Sequence, residues 1–261
     1  MTVANTEPTS TTFEVPTRHG QQVAVHVSGS GNPVVLLNGL ARPMASWSDF
    51  TPVLGERMVV SFDFPGVGAS KTPKLPLSMQ ALSDVVADVL DAVDVARADV
   101  VGFSHGGAIA QQFAFSSPER VRRLALLSTS CGSGATPGSG KALWTSAIGP
   151  HRSRRWGLAR TVGALWQVAA VANWSSIPLL GSISAPTLVV SGEYDRIVPP
   201  TNSQLLAARI PNAVLSVVPA GHDLQRPDVA NPVAMRMLRF LDGPVPEDMA
   251  VDDDAGLSPC L

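Results

Sequence analysis

The sequence predicts an α/β fold, a mostly parallel sheet covered on both faces by helices. Three observations predict it. Short, unbroken apolar runs recur along the chain, segments with helical spacing of apolar residues separate them, and Gly102-Phe103-Ser104-His105-Gly106 follows directly on one of the runs. Strands buried on both faces read as unbroken apolar runs. Strands alternating with helices place those helices on both faces of a parallel sheet.

Residues 1–11 are polar and Thr-rich and are expected to fray. Phe13-Glu14-Val15 and Val23 to Val27 read as two strands joined at His19-Gly20, which makes the sheet mixed at that edge. Val34 to Leu37, Met58 to Phe62, Val100 to Phe103, Leu124 to Leu127, Thr187 to Val190 and Ala213 to Val218 are the buried strands. Met79, Leu82, Val85, Val86, Val89, Leu90 and Val93 recur at helical spacing. Ile109 and Phe113 share one face of the helix after Ser104, and Met235, Leu238 and Leu241 line a C-terminal helix. The rhythm breaks over residues 131–185, which open on a Gly/Ser-rich stretch and hold four of the five tryptophans. A helical insert fits such a segment better than a long loop. The predicted domain organisation is a core of residues 12–130 and 186–241, a helical lid of residues 131–185 after the sixth core strand, and disordered tails at 1–11 and 242–261. No internal repeat is present.

Length and composition narrow the function. The 261 residues suffice for one large domain, and 45% hydrophobic against 15% charged residues mark it as globular. A net charge of -2 and a pI of about 6.2 leave no footprint for nucleic acid. With one of the two cysteines, Cys260, in the acidic tail, no disulfide with Cys131 is expected. The first residues have no basic stretch followed by an apolar run, and no apolar run is long enough for a membrane span, so a soluble cytoplasmic protein is expected. No group of His, Cys and carboxylates has metal-ligand spacing, so neither metal nor cofactor is called for. Oligomeric state is not legible.

The chemistry centres on Ser104. A serine between strand and helix is forced out of the sheet with its hydroxyl exposed, and Gly102 and Gly106 let the turn be tight. Serine needs a base. His222, in Gly221-His222-Asp223 just past the last strand, stands at the edge where open parallel sheets bind ligands. A carboxylate must hold the base in its working tautomer. Asp195, in Gly192-Glu193-Tyr194-Asp195, follows the preceding strand, with Glu193 as competitor. Two backbone N–H donors are needed for the oxyanion. His105 supplies one as the residue after the serine, and Leu40, behind Asn38-Gly39, supplies the other. The glycines of Asp63-Phe64-Pro65-Gly66-Val67-Gly68-Ala69-Ser70 lack the third glycine of a dinucleotide fingerprint, so a structural turn is expected there. His19, His26 and His151 are read as turn, strand and solvated-face residues.

Asn38-Gly39, the Asp63–Ser70 turn, Gly102-Phe103-Ser104-His105-Gly106-Gly107, Asp195 and Gly221-His222 together resemble the α/β-hydrolase superfamily over about residues 20–130 and 185–241. The order Ser, Asp, His is that of the superfamily. Leu36-Leu37-Asn38-Gly39, Gly107 to Ala114, Pro118-Glu119-Arg120, Leu165-Trp166-Gln167, Trp174 to Ile177 and Arg209 to Ala213 resemble, within it, intracellular depolymerases of medium-chain poly(3-hydroxyalkanoate). Those enzymes carry tryptophan after the serine, where this chain has His105, and a longer insert after residue 131. The resemblance implies an α/β-hydrolase fold and a serine hydrolase that cleaves carboxylic esters, either hydrophobic small esters or 3-hydroxyalkanoate polymer, through an acyl-serine. The alternatives are other chemistry on the same fold (cofactor-free perhydrolysis or haloperoxidase chemistry, or carbon–carbon bond hydrolysis) and a non-catalytic ligand receptor. Asn38, Gly39, Trp144, Leu165 and Trp166 are the candidate substrate contacts, the last three serving equally well to glue the insert to the core.

Overall fold

The computed structural model describes residues 10–142 and 158–243. The expectations for Trp144, Trp156, the basic run around His151, Cys260 and the acidic C-terminal stretch lie outside the described residues. Eight strands form one sheet: β1 (Ser10–Pro16), β2 (Gln22–Ser28), β3 (Val34–Leu37), β4 (Val59–Phe62), β5 (Ala98–Phe103), β6 (Val121–Leu127), β7 (Thr187–Gly192) and β8 (Ala213–Val218). Their order is β1-β2-β4-β3-β5-β6-β7-β8. The β1–β2 and β2–β4 pairs are antiparallel and the rest parallel, so among these eight strands β2 alone runs against the other seven. The helices bounded within the described residues are α1 (Met79–Ala92), α2 (His105–Ser116), α3 (Leu158–Ala172), α4 (Pro200–Arg209) and α5 (Pro227–Asp242).

The central strands are apolar throughout because they feed two cores. Val35 and Leu37 of β3, Val100 of β5 and Leu124 and Leu126 of β6 face α1 and α2, against Val86, Leu90, Ile109 and Phe113. Their neighbours Val34, Leu36, Val101, Phe103, Ala125 and Leu127 face the other way. There they meet Trp47, Phe50 and Leu54 from two 3-10 turns, and α5. Alternate residues of a strand point to opposite faces, so neither face can be polar.

Two boundaries and one helix face differ from the sequence reading. β1 begins at Ser10 and α5 runs through Asp242, inside stretches expected to be disordered. The buried face of α5 is Val233, Ala234, Met237, Phe240 and Leu241, while Met235 is exposed. Val233, Met237, Phe240 and Leu241 continue one helical stripe; Met235 lies about 200° round the helix from Met237, at 100° per residue. Between β6 and β7 the described parts of the insert are residues 131–142, where a helix begins at Gly140, and α3 followed by a 3-10 turn at Leu180–Ser182. It is anchored on α2: the Trp174 indole N–H donates to Gln112 Oε1 at 2.7 Å, and Ser176 Oγ to Gln111 Oε1 at 2.6 Å.

The parallel strands line up their carboxyl ends, with Leu37 beside Gly102, Phe103 beside Leu127 and Gly192 beside Val218. The opposite edge carries a buried ion cluster. Asp99, fully buried in β5, pairs with Arg57 at 2.7 Å and with Arg122, and Arg57 also pairs with Asp242 at the end of α5. Removing one member of a buried pair leaves an uncompensated charge. Asp99→Ala is therefore expected to destabilise the fold by about 3–5 kcal/mol, read as a lower urea midpoint, while kcat of the folded fraction is unchanged because the cluster lies at the far edge from Ser104.

Candidate active site

Ser104 joins β5 to α2 with φ 52° and ψ -115°, a conformation that L-residues other than glycine rarely adopt. The turn is fastened on every side. The Ser104 N–H donates to the Leu127 carbonyl at 2.8 Å, and the Ser104 carbonyl accepts from Gly107 N–H and from Thr129 Oγ1 at 2.7 Å. A Cβ on Gly102 would stand 2.5 Å from the Gly106 carbonyl oxygen, and one on Gly106 would stand 2.2 Å from that of Leu37. Only glycine lets the helix start that close to the sheet.

His222 and Asp195 meet Ser104 at the same edge. Ser104 Oγ lies 3.1 Å from His222 Nε2, and His222 Nδ1 lies 2.8 Å from Asp195 Oδ2. The other carboxylate oxygen of Asp195 accepts the N–H groups of Ile197 and Val198, each at 2.8 Å, which fixes its aim. Asp195 is buried, and its competitor Glu193 is exposed. With its proton on Nδ1, the imidazole can donate to Asp195 and accept from the Ser104 hydroxyl at once. The ring is packed against Phe103, centroids 5.3 Å apart.

The loop after β3 lies against this group. A Cβ on Gly39 would come within 2.9 Å of the Phe103 ring and 3.3 Å of Ser104 Cβ. Among the described residues, the N–H groups of Leu40 and His105 make no hydrogen bond. The His105 ring is buried, and its nitrogens lack a partner of good geometry. Burial pulls its imidazole from 6.5 down to about 4, and the backbone of Gln167 offsets only part of that.

Two expected substrate contacts are placed elsewhere. Asn38 is 1% exposed, and both ends of its amide are engaged: Nδ2 donates to the Pro43 carbonyl at 2.6 Å and Oδ1 accepts from Gln225 Nε2 at 2.8 Å. Its polarity serves the loop rather than a ligand. Leu165 is 59% exposed, on the side of α3 away from buried Gly163 and Gln167, since two residues turn a helix by about 200°. Trp166 packs inward, its indole N–H donating to the Pro73 carbonyl at 3.1 Å. With Pro65, Pro73, Leu77, Leu82 and Gln167 it lines a largely apolar cleft.

The structure adds residues that the sequence reading passed over. Arg42 forks onto Asp223, with contacts of 2.8 and 2.5 Å, and reaches Gln225 Oε1 at 2.9 Å. Its guanidinium stands over the Phe103 ring at 5.2 Å. The chain Asn38–Gln225–Arg42–Asp223 thus ties the loop after β3 to the loop bearing His222. The only signal for it was the position of Asp223 beside His222; nothing in the sequence marks Arg42 as its partner 181 residues away. The Asp63–Ser70 stretch is a turn, with Asp63 accepting from Ala69 N–H at 2.8 Å and Met44 N–H at 2.6 Å. Among the described residues no cluster could hold a metal ion, and no helix is long and apolar enough to cross a membrane.

The fold and sequence have counterparts among known proteins. Residues 34–234 match the model of the alpha/beta hydrolase family. The chain is 34% identical over 240 residues to a poly(3-hydroxyalkanoate) depolymerase of Ectopseudomonas oleovorans, covering 79% of this chain and 84% of the depolymerase. The crystal structure of a hydrolase from Pseudomonas aeruginosa PA01 superimposes with a TM-score of 0.75 at 25% identity, covering 93% of this chain and all of the other. Est816, described as an N-acyl homoserine lactone degrading enzyme, superimposes with a TM-score of 0.69 at 31% identity, covering 85% and 98% of the two chains. An eight-stranded sheet of this order, with a strained serine turn at its carboxyl edge and a family match spanning most of the chain, establishes that the protein belongs to the alpha/beta hydrolase family.

Proposed function

We propose that this alpha/beta hydrolase cleaves carboxylic esters of hydrophobic or 3-hydroxyalkanoate type through an acyl-serine intermediate. The observation that carries the reading is the unbroken hydrogen-bonded chain from Ser104 Oγ through His222 to Asp195. Ser104 Oγ attacks the ester carbonyl as His222 Nε2 takes its proton. Asp195 orients the imidazole and stabilises the imidazolium that forms. Negative charge then collects on the former carbonyl oxygen, where the N–H groups of Leu40 and His105 receive it. His222 returns the proton to the leaving alcohol, and the acyl group stays on Ser104. Water, deprotonated by His222, repeats the sequence and releases the acid.

The ester class draws support from the depolymerase and from the lactone-degrading Est816, which both act on ester-bearing molecules. Residues 131–185 act as a lid in this reading, with Trp166 shaping one wall. A hydrophobic pocket discriminates weakly, about 1–3 kcal/mol per methylene, so a broad chain-length profile follows. Wild-type protein is expected to hydrolyse p-nitrophenyl esters between acetate and decanoate and to react with a fluorophosphonate probe. Ser104→Ala should lose both, and Asp195→Asn should lower kcat by about 10⁴-fold with little change in stability. Absence of ester turnover by the wild type, or labelling that survives Ser104→Ala, would sink the reading.

The buried His105 ring sets an acid limit of a different kind. Its folded value of about 4 lies below the unfolded 6.5. Above pH 6.5 the ring is neutral in both states and costs nothing. As pH falls from 6.5 toward 4, the unfolded chain binds a proton that the native chain refuses, and stability is lost by on the order of 3 kcal/mol. Urea midpoints taken across that interval should therefore fall less for His105→Leu than for wild type. Equal slopes would mean that the ring is solvated.

A further inference from the structure

We propose that Gln167 is a positioning residue for the oxyanion donors, so that the insert between β6 and β7 completes the site rather than only covering it. The proposal rests on the reading of Ser104, Leu40 and His105 given above. Gln167 is 3% exposed, and its Oε1 accepts the Ala41 N–H at 2.8 Å, across 126 residues of sequence. Ala41 follows Leu40 directly and stands at φ 53°, where a side chain is disfavoured. The bond from Gln167 holds the Leu40–Ala41 peptide, the unit directly after the one that carries the Leu40 N–H, so the donor is anchored through the Leu40 backbone. The backbone of Gln167 also lies beside the His105 ring, so this one residue touches both segments that carry the donors.

The reach of Gln167 is set by two further fasteners on α3. Gly163 packs directly on the loop after β4, where a Cβ would stand 2.2 Å from the Gly66 carbonyl oxygen. The Trp166 indole binds the Pro73 carbonyl at 3.1 Å. Gln167 follows Gly163 by one helical turn on the same face, so the distance of the helix from the core decides whether the amide reaches Ala41. An uncharged acceptor suits the position. A carboxylate there would be buried without a cation and would repel the oxyanion forming nearby. Donors must sit at hydrogen-bond distance from the oxyanion, not from the ground-state carbonyl. A misplacement of 1 Å can cost about 100-fold in rate, so loosening Ala41 is expected to appear in kcat and not in substrate binding.

The test compares wild type with Gln167→Met, which keeps the length and loses the acceptor, and with Gly163→Ala, which lifts α3 off Gly66 without changing a polar group. Each is assayed for kcat and KM on p-nitrophenyl butyrate, for inhibition by butylboronic acid and for thermal midpoint. In both variants kcat is expected to fall about 10- to 100-fold with KM within threefold. The boronate, whose tetrahedral adduct uses the oxyanion donors, should lose affinity in the same proportion. A merely structural role would lower the thermal midpoint without that matched loss. The proposal is overturned if a folded variant keeps wild-type kcat, if the change lies in KM alone, or if boronate affinity does not follow kcat. If Gln167→Met does not fold, Gly163→Ala decides. Failure of the underlying ester-hydrolase reading is distinguishable, because wild type itself would then show no Ser104-dependent turnover.

Discussion

The rest of the site depends on one strained turn. Ser104 holds a left-handed backbone conformation that costs of order 1–3 kcal/mol, and it persists because its surroundings over-determine it. The Leu127 carbonyl, the Thr129 hydroxyl and two glycine contacts at the start of α2 leave no room for a relaxed geometry. The strain throws the hydroxyl clear of the sheet and starts a helix whose positive end lies beneath it. Everything the site can do chemically is arranged around that hydroxyl.

Parallel pairing brings the remaining parts to it. Because β3, β5, β7 and β8 run the same way, the loops after them emerge at one edge, and Gly39, Asp195 and His222, which lie 65, 91 and 118 positions from Ser104 in sequence, gather around it there. Convergence alone is coarse. The fine placement comes from side chains that carry no chemistry of their own: Arg42 and Asp223 clamp the loop of His222 to the loop of Leu40, and Asp195 is aimed by the N–H groups of Ile197 and Val198. In the proposed mechanism such a clamp sits where rotational freedom is most damaging, since a base must lie within hydrogen-bond reach of the proton it takes.

The legible part of this protein was the part with a local signature. Unbroken apolar runs identified the strands because burial on two faces forbids polar residues, and the glycines around Ser104 identified the turn because nothing larger fits. The face of α5 was misassigned: Met235, Leu238 and Leu241 satisfy a helical spacing, but so do Val233, Met237, Phe240 and Leu241, and only the surface of the sheet selects between them. Leu165 is apolar enough for a pocket wall, and only the docking of α3 on the core turns it to solvent. Asn38 looked like a ligand-binding amide because its partner Gln225 lies 187 residues away.

The alternation of strand and helix, the serine turn, and the order in which serine, acid and histidine appear are all written in the chain itself. These follow from burial, backbone sterics and bond chemistry acting over a few residues. Which polar side chains stand beside Ser104 and which are spent on holding loops is set by long-range packing. Gln167, Arg42 and Asn38 are ordinary polar residues in the sequence. Their roles are fixed by partners more than a hundred residues distant, because a hydrogen bond has meaning only once both ends have been brought within about 3 Å.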